Sequence, residues 1–203
     1  MHRVIAVLLA LALALLGPGC SENTGPAGRP DANLNVVRQD SLAPPLLTYE
    51  ASFWAKVSDG REVHLNYQGT APADTGAEFL RFEVPGDGLL RRPDGTAFQD
   101  GDSILITITV IDSGRFRFRF EPAGLQFNPE HPARLRVRYF QCEQDFDGDG
   151  DEDADDERIE QLLDLWRRTG PGALWIRVGS VKFEELDELD ANILAFSEYA
   201  VAW

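Results

Sequence analysis

The sequence predicts a mainly β protein: an antiparallel β-sandwich with one inserted α-helix. Three observations carry this. After residue 46, apolar and polar residues alternate over most of the chain, the period of half-buried strands. Turn dipeptides separate the alternating runs, at Asp59-Gly60, Asp87-Gly88, Asp94-Gly95 and Ser113-Gly114. One segment alone changes to helical spacing, directly after an acidic Asp/Gly stretch. Short strands at such intervals suit a sandwich.

The chain opens with a short basic region at Arg3 and an apolar run over residues 4–16. That run is too short to span a bilayer and has the shape of a secretory signal. Gly17, Pro18 and Gly19 lead into Cys20, with Leu16 one place earlier than a lipobox usually has it. The segment resembles a bacterial lipoprotein signal. The resemblance implies that residues 1–19 are removed and that Cys20 is lipidated. The protein is then exported and held at the cell envelope by lipid, at the outer membrane or periplasmic face. Cys142, the second of two cysteines, is left without a disulfide partner and is expected to be a small buried hydrophobe.

Residues 20–45 are rich in Pro, Gly, Asn and Ser and poor in apolar side chains. Such a composition predicts a disordered tether, spanning about 28 Å as a flexible coil. The formal charge is −15. A chain so acidic repels nucleic acid and anionic lipid surfaces, which excludes nucleic acid as a partner.

Residues 46–203 make one domain of ordinary size. Strands are read at "REVHLNY" (61–67), "EFLRFEV" (78–84), "SILITITV" (103–110), "RFRFRF" (115–120), "RLRVRY" (134–139), "ALWIRVGSV" (173–181) and "FSEYAVAW" (196–203). The run "DDERIEQLLDLWRRTGPG" places Ile159, Leu162, Leu163 and Trp166 on one helical face. Asp155 or Asp156 can cap its start, and Arg167 and Arg168 suit the negative end of its dipole. A helix is therefore predicted over 155–168, ended by Gly170-Pro171.

Specific chemistry is concentrated in "DFDGDGDEDADDE", residues 145–157, with nine carboxylates in thirteen positions and no basic residue. A calcium loop needs oxygen donors at positions 1, 3, 5, 7, 9 and 12 and a glycine at 6. With position 1 at Asp145, the donors are Asp147, Asp149, the Asp151 carbonyl, Asp153 and Asp156, with Gly150 at the turn. Hard oxygen donors without His or Cys favour Ca²⁺ over zinc. The stretch resembles an EF-hand loop, above all its dockerin-type variant, in which Asp also ends the loop and a helix follows. Position 8 is Glu152 where an aliphatic residue is usual, which fits a solitary loop. Glu157 is a substitute for Asp156 at position 12. An Asp/Gly loop that is merely solvated is the alternative.

Other features point less sharply. Arg115, Arg117, Arg119, Arg134, Arg136 and Arg138 form one basic face if their strands are neighbours, for an acidic glycan or protein partner or for the acidic loop itself. Solvated sheet faces carry such charges too. His64 and His131 lie near no nucleophile motif, so no catalytic residues are assigned and no enzyme activity is expected. Trp54, Trp175 and Trp203 can line a sugar platform or fill the core.

The runs "FLRFEVPGDGLL", "DSILITITV", "FRFEPAGLQFNPEHPARLRVRYF", "ALWIRVGSV" and "ILAFSEYAVAW" together resemble the ZU5-like β-sandwich of secreted bacterial lipoproteins. The resemblance implies an adhesive or scaffolding module. Some ZU5 domains cleave themselves at His-Phe-Ser. Here Ala195-Phe196-Ser197 lacks the histidine, so no self-cleavage is expected. The functional expectation is a calcium-stabilised binding or structural module. A carbohydrate-binding module and a secreted hydrolase are the alternatives.

Overall fold

The computed structural model describes residues 28–71, 75–112 and 114–203. The signal segment, the lipid site at Cys20 and the tether up to residue 27 lie outside the described residues. Among the described residues, thirteen strands and one α-helix follow in chain order: β1 (Glu50–Lys56), β2 (Arg61–Gln68), β3 (Thr75–Val84), β4 (Leu89–Arg91), β5 (Ser103–Asp112), β6 (Arg117–Glu121), β7 (Gln126–Phe127), β8 (Ala133–Arg138), α1 (Ala154–Glu160), β9 (Asp164–Arg168), β10 (Ile176–Arg177), β11 (Val181–Phe183), β12 (Glu188–Ile193) and β13 (Glu198–Ala202). They form a six-stranded sheet, β1-β5-β6-β13-β9-β10, and a five-stranded sheet, β11-β12-β8-β3-β2, with β4-β7 as a small ribbon. Every pairing is antiparallel. The predicted fold class, an antiparallel sandwich with one helix, is the one observed.

Alternation sets the core. Phe116, Phe118 and Phe120 point inward from one sheet, and Leu135 and Val137 from the other, while the arginines between them face outward. Phe82 packs on Phe120 and Phe196 at centroid distances of 5.1 and 5.6 Å, and Phe79 on Phe118 at 5.6 Å. These tilted and edge-on contacts are the favoured geometries of aromatic pairs.

The predicted helix is shorter than expected. It ends at Glu160, and Asp164–Arg168 is a strand paired with β13. The helical spacing of Leu162, Leu163 and Trp166 is real, but β9 is buried on both faces. Leu165 faces the main core, and Trp166 faces outward beneath Leu34 and Val36. A strand covered on both sides loses its alternation and reads like a buried helix. The segment 173–181 is likewise two short strands rather than one. Gly179, at φ +84°, turns the chain between them.

The tether is corrected over residues 28–45. Residues 28–36 lie across the outer face of the six-stranded sheet, and the chain then passes Gly114 and Gln141 to reach β2, where Gln68 N–H donates to Pro45 O at 2.8 Å. Leu34 and Val36 join Trp166, Trp175, Ala200 and Ala202 in a second core, and Val37 enters the main one. Arg29 and Trp175 exchange backbone hydrogen bonds of 2.8 Å, and Val37 N–H donates to Val201 O at 3.0 Å. Asp31 accepts from Trp175 Nε1 at 2.8 Å and pairs with Arg117 at 3.1 Å and Arg168 at 3.2 Å. A few apolar side chains, each stabilising by about 1.5–3 kcal/mol when buried, offset the ordering of a segment whose average composition is that of a coil.

Candidate metal centre

The acidic stretch leaves the sheet after β8 and returns through α1. Phe146 anchors it: the ring is buried and meets Trp203 edge-on at 5.6 Å. Asp145 and Asp147 therefore flank an inward-pointing side chain and turn to the opposite side. Asp145 Oδ1 accepts from the amides of Gly148 and Asp149 at 2.7 and 3.2 Å, and Oδ2 from Gly150 at 3.0 Å. Asp147 Oδ1 accepts from Asp149 N–H at 3.0 Å, and Asp149 Oδ1 from Asp151 N–H at 3.2 Å. Gly148 and Gly150 sit at φ +81° and +102°, where a side chain is strained.

This winding brings Asp145, Asp147 and Asp149 together, each offering an oxygen within 4.8 Å of the others. Donors 2.3–2.6 Å from a calcium ion lie at most about 4.6–5.2 Å apart, so the three fit one coordination shell. The three residues can hold a metal ion. Asp147 and Asp149 are exposed and Asp145 is half-buried.

Asp153 and Asp156 of the expected ligand set do not join this cluster. Asp153 caps α1, accepting from Asp155 N–H at 2.7 Å. Asp156 is buried and closes the loop on itself. Its Oδ1 accepts from Phe146 and Asp147 N–H at 2.7 and 3.1 Å, and its Oδ2 from Asp153 N–H at 3.0 Å. Three of about four acceptor positions of that carboxylate are thus taken, as are three of those of Asp145. The Asp151 carboxylate lies outside the converging group, its expected donor being the backbone carbonyl, and Glu157 is exposed. The role of Asp156 as a staple was not foreseen. A capping-box reading of Asp153 with Asp156 was the available signal.

Electrostatics separate the two groups. The amide of Asp153 foremost, with those of Asp147 and Phe146, holds Asp156 below its ordinary value against the cost of burial. For Asp147, the Asp149 amide pulls downward. Burial and the charges of Asp149, Asp156 and Asp145 outweigh it and raise the carboxyl. Asp149 and then Asp153 raise Asp151. Among the described residues, no cation pairs with a carboxylate of 145–153. Arg38 and Arg115 line a polar cleft of about 320 Å³ beside Asp145 and Asp147, with Trp203.

The other candidates do not converge. β6 and β8 belong to different sheets, so the two arginine stripes share no face. Each is largely matched by acids: Arg117 by Asp31 and Arg119 by Glu198 in one, and Arg134 and Arg136 by Asp190 in the other. Trp54 is exposed, Trp175 is fully buried and Trp203 meets Phe146 edge-on, so they form no common platform. His64 lies between Glu62 and Glu78, and His131 meets Asp87. Cys142 is a free, buried thiol, as expected, pushed up to about 12 by burial and by the charges of Glu160 and Asp187.

No family model, curated protein or solved structure matches this chain.

Proposed function

We propose that the chain is a cell-envelope lipoprotein whose β-sandwich is a non-catalytic binding or structural module, stabilised by one calcium ion in the acidic loop. The observation that carries this reading is the convergence of Asp145, Asp147 and Asp149 at the mouth of a loop built on two left-handed glycines. Calcium adds what the loop lacks, a positive charge among carboxylates that raise one another's pKa values. The affinity is that of an extracellular module, Kd about 10⁻⁴–10⁻³ M. The role is structural: the ion fixes the loop, and the loop starts α1. The ZU5-like order of strand motifs supports an adhesive or scaffolding task, and the lipoprotein-like N-terminus supports anchoring through Cys20.

Calorimetric titration of Ca²⁺ into the protein and into Asp149→Ala tests the metal. Saturable binding lost in the variant is the expected result, and identical heats in both would refute it. Radiolabelled palmitate fed to expressing bacteria tests the anchor. Label incorporated by the native chain and absent from Cys20→Ser is expected. An unlabelled native chain would remove the lipid from the reading.

A further inference from the structure

The six-stranded sheet carries one long edge without a partner. At its far end β10 is only two residues long, and Trp175 just before it is already paired with Arg29. At the near end β1 pairs with β5 alone. Backbone bonds that frame this pairing, Val57 N–H to Asp102 O at 3.0 Å and Val110 N–H to Tyr49 O at 2.8 Å, fix its phase. With an unbroken register, residues 49, 51, 53, 55 and 57 bond toward β5, and 50, 52, 54 and 56 point their backbone groups away.

Those outward groups are partly blocked at both ends. Thr48 Oγ1 donates to Glu50 O at 2.7 Å and accepts from Glu50 N–H at 3.2 Å. Lys56 O accepts from Asp59 N–H at 3.2 Å. Between them, the N–H and C=O of Ser52 and Trp54 have no partner among the described residues. Trp54 is also the most exposed aromatic side chain among these residues, at 64%, and its cross-strand neighbour Leu105 is 45% exposed. Protected edges normally carry inward charges, prolines or bulges, and none interrupts this strand between Glu50 and Lys56.

We propose that this edge is covered by β1 of a second copy of the same chain, in an antiparallel two-fold dimer centred on Phe53. One register satisfies every constraint. Ser52 opposite Trp54 of the other copy, twice about the axis, makes four backbone hydrogen bonds from the four open groups of each copy. The same register sets Glu50 against the other copy's Lys56, twice, so the strand is complementary to itself in charge. Registers shifted by two residues would call on Glu50 or Lys56 backbone groups that are already taken, and would lose both ion pairs. The two Trp54 side chains become diagonal neighbours on the outer face, within aromatic reach across the axis. The contact is isologous and uses up the only long edge of the sheet, so it closes at two copies.

The test is sedimentation equilibrium of the full chain in density-matched detergent, with four variants. Ser52→Pro removes an amide that points away from β5, a place where an edge strand tolerates proline. Glu50→Lys and Lys56→Glu each turn both ion pairs into repulsions, and the double reversal restores them. A dimer mass is expected for the native chain, and for Ser52→Pro a folded monomer that melts cooperatively, lower only by the lost association. Each single reversal should weaken association about tenfold, and the double reversal should recover it. Should Ser52→Pro fail to fold, the charge reversals decide alone. A native chain monomeric at every concentration, or a dimer indifferent to the single reversals, overturns the proposal.

Discussion

Asp156, in the first turn of α1, accepts the amide of Phe146 at 2.7 Å, ten residues earlier in the chain. One buried carboxylate thereby ties the start of α1 to the start of the acidic loop. Phe146 ties the same point to the core through Trp203. Loop, helix and sheet are one mechanical unit, and perturbing any of the three should be felt in the others.

Calcium should therefore stabilise the whole domain. With free Ca²⁺ tenfold above Kd, linkage gives about 1.4 kcal/mol. For a domain of this size that is a rise in Tm of about 3–6 °C. Differential scanning calorimetry with calcium and with chelator measures it, and superimposable melts would argue that the ion leaves the fold untouched.

The calcium effect should fade in acid. Asp147 and Asp151 are raised in the folded state, so their ionisation costs stability above their folded values. That cost is relieved as pH falls through those values toward the ordinary aspartate pKa of about 3.9. Asp156 has the opposite sign. It is lowered, so its contribution is present above the ordinary value and is lost as pH falls through its lowered one. Melts at descending pH should show the calcium increment shrinking first and the calcium-free fold weakening later. A constant increment down to pH about 4 would contradict the assignment.

Gly150→Ala forces a side chain to φ +102° with open space around it, so the cost is in the backbone and not in a clash. A loss of about 1–2 kcal/mol is expected. Asp153→Ala removes the helix cap and should cost about 1 kcal/mol. Urea melts read both changes. Neutral behaviour of Gly150→Ala would show that the turn is not held in this conformation.

Residues 28–45 should resist proteases. Val37→Asp places a charge in the core beside Phe116, whose amide donates to Val37 O at 3.0 Å. Cleavage within 28–45 should be slow in the native protein and much faster in this variant. Equal, rapid cutting of both would restore the picture of a disordered tether.

Much of the sandwich was legible because strands with one wet face advertise their period. In β5, β6 and β8 every second residue is apolar, and these are the residues found inside. Strands lacking that contrast were missed. In β1 the inward positions include Ala51 and Ala55, while the large apolar residue Trp54 faces solvent. In β12, Asp190 is buried between Leu189 and Ala191 by its pairing with Arg134 and Arg136. β9 imitated a helix because both its faces are covered. At the acidic loop, the spacing located Asp145, Asp147, Asp149 and the glycine turn. It did not set the three converging carboxylates apart from Asp153 and Asp156, because positions 9 and 12 of a calcium loop have the same spacing as the N-cap and N3 acids of a capping box.

Crystals grown in millimolar calcium would weigh the metal centre most directly. Anomalous difference density is expected among the carboxylates of Asp145, Asp147 and Asp149, about 2.3–2.6 Å from their oxygens. Asp156 should remain on the amides of Phe146, Asp147 and Asp153. Carboxylates turned apart into solvent, with no anomalous signal between them, would contradict the calcium-stabilised sandwich.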